Sequence, residues 1–230
     1  NMDARDFHAI WPDWAVSRTR NWVGRKIRSG RVEDVRLDLV SQRDENRLKV
    51  RQIDGSITVR DVEMALGGGV PVMTGIDGRM TIADNKAEII LTEGDVSGLG
   101  LETAKVTIVP VIGGKPPRAV AELNLNGDMG GGIALATSMR MIKPGNGGYD
   151  ATTLRASGQT IFDVVTRFPV RPRLKPQEID FEAQARVTGG VFENLPFGAD
   201  ARDAAATIIA SRGVLSVAGS GLLFGLPSDF

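Results

Sequence analysis

The 230 residues carry 28 basic and 28 acidic side chains, so no net charge draws the chain to nucleic acid or to an anionic membrane, and any partner has to be recognised locally. An apolar content of 42% is enough for a sizeable core, in one elongated domain or in two of ordinary size. The absence of cysteine excludes disulfides, thiolate nucleophiles and thiolate metal ligands together, and is compatible with cytoplasm and periplasm alike.

No stretch reaches the ~20 consecutive apolar residues of a membrane span, and the first residues lack the basic-then-apolar order of a signal peptide. The abrupt beginning, and the strand-like Leu222-Leu223-Phe224-Gly225 near the end, lead us to expect a fragment of a longer protein whose anchor and export signal lie elsewhere.

In chain order, residues 11–28 read as a helix: Pro12 suits a first helical position, Asp13 complements the positive end of the dipole, and Gly30 stands where a left-handed cap is expected. Trp11, Trp14 and Trp22 fall on one side of it with Arg18 and Arg25 between them, which suits arginine stems lying over indole faces. From Arg31 the period becomes two. Val35, Leu37 and Leu39 alternate with charged residues, as do Leu48 and Val50, then Ile57 and Val59, giving half-buried strands. Turns are expected at residues 67–69, at Asp77-Gly78 and at Asp84-Asn85-Lys86, and strands at 79–83, 87–91, 104–109 and 119–125, an antiparallel meander.

Further on, Gly130-Gly131-Gly132 precedes a short helix expected at 133–141, and another glycine-rich turn falls at 145–148. Residues 158–168 predict a helix, with Ser157 as cap and Ile161, Val164, Val165 and Phe168 at the i, i+3, i+4, i+7 spacing of one buried face, ended by Pro169. A proline-rich extended crossing follows, and then the clearest alternation in the chain, Ile179, Phe181, Ala183, Ala185 and Val187 against Asp180, Glu182, Gln184 and Arg186. The pattern Thr81-Ile82-Ala83, turn, strand, Gly94 to Leu99 recurs about 125 residues later from Thr207 to Leu223, so two helix-plus-meander units in tandem are expected, residues 1–128 and 157–230 around a linker and short helix at 129–156, sharing one continuous elongated sheet.

The chemistry of catalysis is thin. His8 is the only histidine, so a histidine-dependent triad or a zinc site has little to draw on, and neither catalytic nor metal-binding residues are assigned. Gly113-Gly114-Lys115 is followed by two prolines and cannot open a helix with free amide donors, as a phosphate loop must. The carboxylate pairs Asp34 with Asp38 and Asp180 with Glu182 have the composition of a glycosidase acid and base, but both occupy the polar side of alternating strands, where a solvated sheet face places such residues anyway. The basic run from Arg18 to Arg31 is a solvated helix surface or a contact for an anionic headgroup.

Trp11-Pro12, Arg20-Asn21-Trp22-Val23, Ile27 and Gly30-Arg31-Val32-Glu33-Asp34-Val35-Arg36-Leu37 together resemble a passage of the large AsmA-like envelope proteins, the YhdP-like branch in particular. The helix expected from Gly158 to Phe168, the proline-rich crossing from Pro169 to Pro176, Asn194-Leu195-Pro196-Phe197 and Gly219 to Gly225 extend the likeness over most of the chain, from about Trp11 to Leu226. The resemblance implies a mainly β protein with a few helices, its antiparallel sheet strongly curved into an open gutter, related to TamB and the repeating β-groove lipid-transfer proteins. It implies no enzyme and no cofactor, but a periplasmic segment, anchored in the inner membrane by the full-length protein, that conducts phospholipid towards the outer membrane. On this reading Val35, Leu37, Leu39, Val50, Ile57, Val59, Ile179, Phe181 and Val187 line the apolar groove, and Trp11, Trp14, Trp22, Arg18 and Arg25 meet headgroups at an interface. The expected partners are phospholipid acyl chains and envelope proteins at the two membranes, with no nucleic acid. The alternative is a non-catalytic structural or interaction module that supports outer-membrane assembly, for instance by strand addition at an open sheet edge.

Overall fold

A computed structural model of the chain describes residues 2–4, 6, 24–44, 47–65, 70–113, 116–139, 153–171, 174–195 and 198–230. Twelve strands form one sheet: β1 (Met2–Asp3), β2 (Ile27–Asp44), β3 (Arg47–Met64), β4 (Met73–Ala83), β5 (Lys86–Val96), β6 (Leu99–Val109), β7 (Arg118–Asp128), β8 (Arg155–Pro169), β9 (Asp180–Leu195), β10 (Ala199–Ser211), β11 (Val214–Leu223) and β12 (Leu226–Asp229). Every strand pairs antiparallel with its neighbours in sequence and with no other, and β1 does not meet β12, so the sheet is an open meander. The helix α1 (Met129–Ser138) follows β7, and no helix among the described residues is long and apolar enough to cross a membrane.

Local chemistry explains the meander. The pairs Ala83 with Lys86, Val96 with Leu99 and Leu223 with Leu226 leave two-residue turns. Asp84 and Asn85, Ser97 and Gly98, and Phe224 and Gly225 all have positive φ, the geometry whose twist matches that of the flanking strands. The two stretches that echo one another in sequence, β4–β5 and β10–β11, are both hairpins closed in this tight manner.

The strands are not regular throughout. Register shifts interrupt the pairing between Val32 and Asp34, Val59 and Val62, Thr74 and Asp77, Leu101 and Thr103, Ser157 and Gln159, and Arg202 and Ala205. These extra residues fall in the same half of the sheet on strand after strand, and each bends its strand and sharpens its twist. Gly158 shows how tight the bend is: its φ is +129°, and a Cβ there would stand 2.8 Å from the Gly190 Cα. Val62, Ile76 and Leu99, each only 1% exposed, lie along this crease. They join Met73, Val96, Leu101, Ala104 and Leu125 in the main apolar cluster, where each large side chain contributes roughly 1.5–3 kcal/mol of burial.

Several sequence expectations are corrected. The segment at 158–168 is not a helix but the middle of β8, hydrogen-bonded to β7 on one side and β9 on the other. Its i, i+3, i+4, i+7 apolar spacing arises from apolar residues on both faces of a strand, and the run of Thr160, Ile161, Val164, Val165 and Thr166 is β-branched, which favours extended backbone. The second unit therefore does not open with a helix. Of the helix at 11–28, residues 11–23 lie outside the described residues, 24–26 are helical, and Ile27 and Arg28 already belong to β2. Gly30 is thus no cap: it sits within β2, pressed against Val62 of β3. Asp77-Gly78 lies inside β4, because Asp77 serves the bulge: its carboxylate accepts from the Asp61 amide at 2.9 Å and from Arg60 at 2.7 Å. The short helix begins four residues earlier than expected, with the glycine triplet inside its first turn. The turns at 67–69 and 145–148 lie outside the described residues.

The strand assignment of β8 makes a prediction that a helix would not. Phe162, paired with Leu125 and Ala185, faces the apolar side, whereas Ile161 is 44% exposed on the other. Phe162→Ala is expected to cost about 2 kcal/mol or more in urea unfolding, since its half-buried ring packs on two apolar clusters, and Ile161→Ala well under 1 kcal/mol; equal costs would restore the helical reading.

A second prediction concerns the crease. The Asp61 amide and the Arg60 guanidinium, with Arg31 further off, hold the Asp77 carboxyl below its ordinary 3.8 despite partial burial. A folded-state value that is depressed gives stability present above the unfolded value and lost as pH falls through the folded one. Asp77→Asn should therefore lower the urea midpoint at pH 7, with the gap to wild type closing as pH drops below 3.8; a gap independent of pH would remove the charge from the explanation.

Candidate functional site

Residues directly opposite one another in a ladder share a face of the sheet. Following register from strand to strand, Val32, Val59, Gly78, Leu91, Ala104, Leu123, Val164, Ala183, Ala210 and Leu215 form one unbroken row from β2 to β11. The row beside it runs Val35, Ile57, Met80, Ile89, Val106, Ala121, Thr166 and Phe181. Neither contains a charged residue. Leu91, Leu123, Val164 and Phe181 are only half-buried, since no second sheet covers them among the described residues.

The opposite face is a lattice of polar pairs. Asp163 takes hydrogen bonds from Asn124 and Arg186, both at 2.7 Å. Glu88 sits between Lys86 at 3.6 Å and Lys105 at 3.1 Å, and Lys105 holds its carboxyl below the ordinary range. Arg60 bridges Glu33 at 3.2 Å and Asp77 at 2.7 Å. Exposed pairs of this kind are worth 0–1 kcal/mol each, so their effect is to mark which face is wet more than to hold the sheet together. The carboxylates considered as an acid and base are absorbed here: Asp38 pairs with Arg36 at 3.5 Å, and Asp180 and Glu182 share Arg167 at 3.7 and 3.1 Å. Among the described residues no group of three or more acidic or histidine side chains is placed to hold a metal ion.

The two ends of the apolar face are covered differently. At one end the loop after β6 folds back over β3–β5: Asn85 accepts from the Ile112 amide at 2.6 Å and donates to its carbonyl at 2.8 Å, and the Val111 amide donates to the Asn85 carbonyl at 3.0 Å. Val111 and Ile112 are thereby laid on Ile53, Ile82 and Ala87. A cleft of about 240 Å³ remains beside them, lined by Val50, Ile53, Ile112, Arg51, Gln52 and Asn85, smaller than the ~300 Å³ at which ligand pockets begin. At the other end α1 lies across the crease. Between these covers the inner face stays open.

The residues expected to line the groove come together on this face, but not with equal access. Val35 is 36% exposed, and Leu37, Leu39, Val50, Val59 and Phe181 are half-buried. Ile57 is buried by Val32 and Ala4, and Val187 by Met129 and Phe192, so both support the floor without lining it. Ile179 precedes β9, and its carbonyl accepts from Arg212 at 2.7 Å. Of the expected interface residues, Trp11, Trp14, Arg18 and Trp22 lie outside the described residues, while Arg25 is exposed in the short helical stretch at 24–26. Sequence reasoning missed Leu91, Leu123, Phe162, Val164 and Ile208. The parity signal was present for Leu91 and Leu123 in strands already identified, and Phe162 and Val164 were hidden by the helical reading of β8.

No protein-family model matches the chain, and neither the curated proteins nor the solved structures contain a significant relative.

Proposed function

We propose that this protein is a non-catalytic segment of an AsmA-like bridge, periplasmic and anchored to the inner membrane in its full-length form, that binds phospholipid acyl chains on its apolar inner face and conducts them towards the outer membrane. The observation that carries this reading is the charge-free row from Val32 to Leu215, half-buried at Leu91, Leu123, Val164 and Ala183, on a sheet whose other face is crowded with ion pairs. Burying a methylene against such a surface contributes roughly 0.8 kcal/mol and needs no polar contact. The attraction is also non-directional, so moving a chain by one strand exchanges Leu123 for Val164 or Val164 for Ala183 at small cost. Holding without fixing is what conduction requires. The likeness of the Trp11 to Leu37 passage to AsmA-like proteins supports the same assignment.

One observation favours the second reading, a structural module that binds protein by strand addition. Residues 214–218 of β11 have no strand beyond them among the described residues, and Leu215 and Val217 there are 71% and 45% exposed. An uncharged, unprotected edge of this kind accepts another strand readily.

Native mass spectrometry of protein purified gently from a bacterial host, with solvent extraction and analysis of the released lipid, separates the two. Phospholipid should accompany the wild type, fall about tenfold or more when Leu123 or Phe181 becomes Asp, and persist when the outward Ile90 becomes Asp, with folding checked by circular dichroism. A wild type that stays empty when offered lipid would leave the interaction module.

A further inference from the structure

Among the described residues, hydrogen bonds fasten the helix α1 to the sheet at one end only. At its start both oxygens of Asp128 are engaged, one accepting from the Gly130 amide and the other from the Gly158 amide of β8, each at 2.8 Å. Met129 is buried among Val187, Phe192, Ala201 and Ala204. Further along, Ile133 and Leu135 rest half-buried on the apolar clusters, and the hydrogen bonds at the far end, from the Met139 amide and the Ser138 hydroxyl to the Leu135 carbonyl, stay within the helix. No hydrogen bond joins residues 133–139 to the sheet among the described residues.

The helix is also intrinsically weak. It is ten residues long, below the length at which isolated helices persist, and each of the three glycines in its first turn disfavours it roughly fivefold relative to alanine. The same glycines let it lie flush: a Cβ on Gly132 would stand 2.4 Å from the Phe162 ring, and one on Gly131 3.1 Å from a methyl of Leu99. What it covers is more of the same apolar face, for the row Leu101, Leu125, Phe162, Ala185, Ile208 and Val217 adjoins the open row through Leu123 and Val164.

We propose that α1 is a hinged cover, turning at Asp128 and Gly130, over a closed aliphatic-binding site floored by Leu99, Leu125 and Phe162, into which an acyl chain lying in the open groove extends when the helix, with Gly131 and Gly132, lifts. This rests on the lipid reading above, and adds to it a site that is shut in the empty protein.

Hydrogen exchange on the whole chain tests it, with palmitate as the probe. In the empty protein the α1 amides should exchange on the order of 100-fold faster than those of β7 and β8, through an opening that leaves the sheet intact; on adding palmitate they should speed up further while β6–β8 slow down. Exchange of α1 only with global unfolding, or its protection by palmitate, overturns the cover. Gly132→Val, whose side chain props the helix away from Phe162, should raise the palmitate bound at saturation, and a folded variant with unchanged loading also overturns it. Absence of palmitate binding in every form sinks the lipid reading itself, an outcome distinct from a wild type that binds while α1 stays shut.

Discussion

A sheet one layer thick has to cover its own apolar face, and the row of bulges is what allows it. In a regular meander of this width Val62, Ile76 and Leu99 would stand on an open surface, yet each is 1% exposed with no second sheet above it among the described residues, although α1 adds cover at Leu99. The extra residue in successive strands bends them together, so that side chains from neighbouring strands close over one another along the crease. Asp77 belongs to this device, since its carboxylate accepts from the Asp61 amide that the bulge withdraws from the ladder, and Arg60 holds that carboxylate in place by donating to its other oxygen. Away from the crease the strands run more regularly, and there the apolar rows remain accessible.

The consequence is a division of labour within one sheet. The crease supplies the core, which every folded chain needs, and the regular half supplies a dry surface that the fold does not itself use. Apolar rows of this extent are rarely left bare on a monomer. The loop carrying Val111 and Ile112 and the helix α1 shelter the two margins, while Leu91, Leu123 and Val164 between them stay only half-buried.

Much of this was legible in the sequence, and the failures have physical reasons. Strict alternation identified β2, β3 and β9, and Asp84-Asn85 marked its turn, because period-two patterning and positive-φ residues report directly on local backbone. Residues at β8 misled because a strand with Ile161 and Val165 outside and Phe162 and Val164 inside is apolar on both faces, and that pattern fits a helical wheel as well; the β-branched content was the clue left unused. Asp77-Gly78 has the composition of a turn, but bulge and turn ask for the same residue types. Parity placed the groove residues on a common face, whereas the burial of Ile57 and Val187 beneath Ala4 and Met129 depends on contacts distant in sequence, which no local pattern encodes.

Scale bears on whether the open face is a pocket or a path. Its row crosses from β2 to β11, nine steps of ~4.8 Å between strands, on the order of 43 Å in all. The hydrocarbon core of a whole bilayer is only ~30 Å thick, and one acyl chain spans about half of that. A lipid bound there, as proposed, would therefore occupy less than half of the row's length. A site built to retain one ligand would end where the ligand ends and would fix it with a polar anchor. Neither condition holds along Leu91, Leu123, Val164 and Ala183, and on the proposed reading such a surface would favour displacement along the row over residence at any point on it.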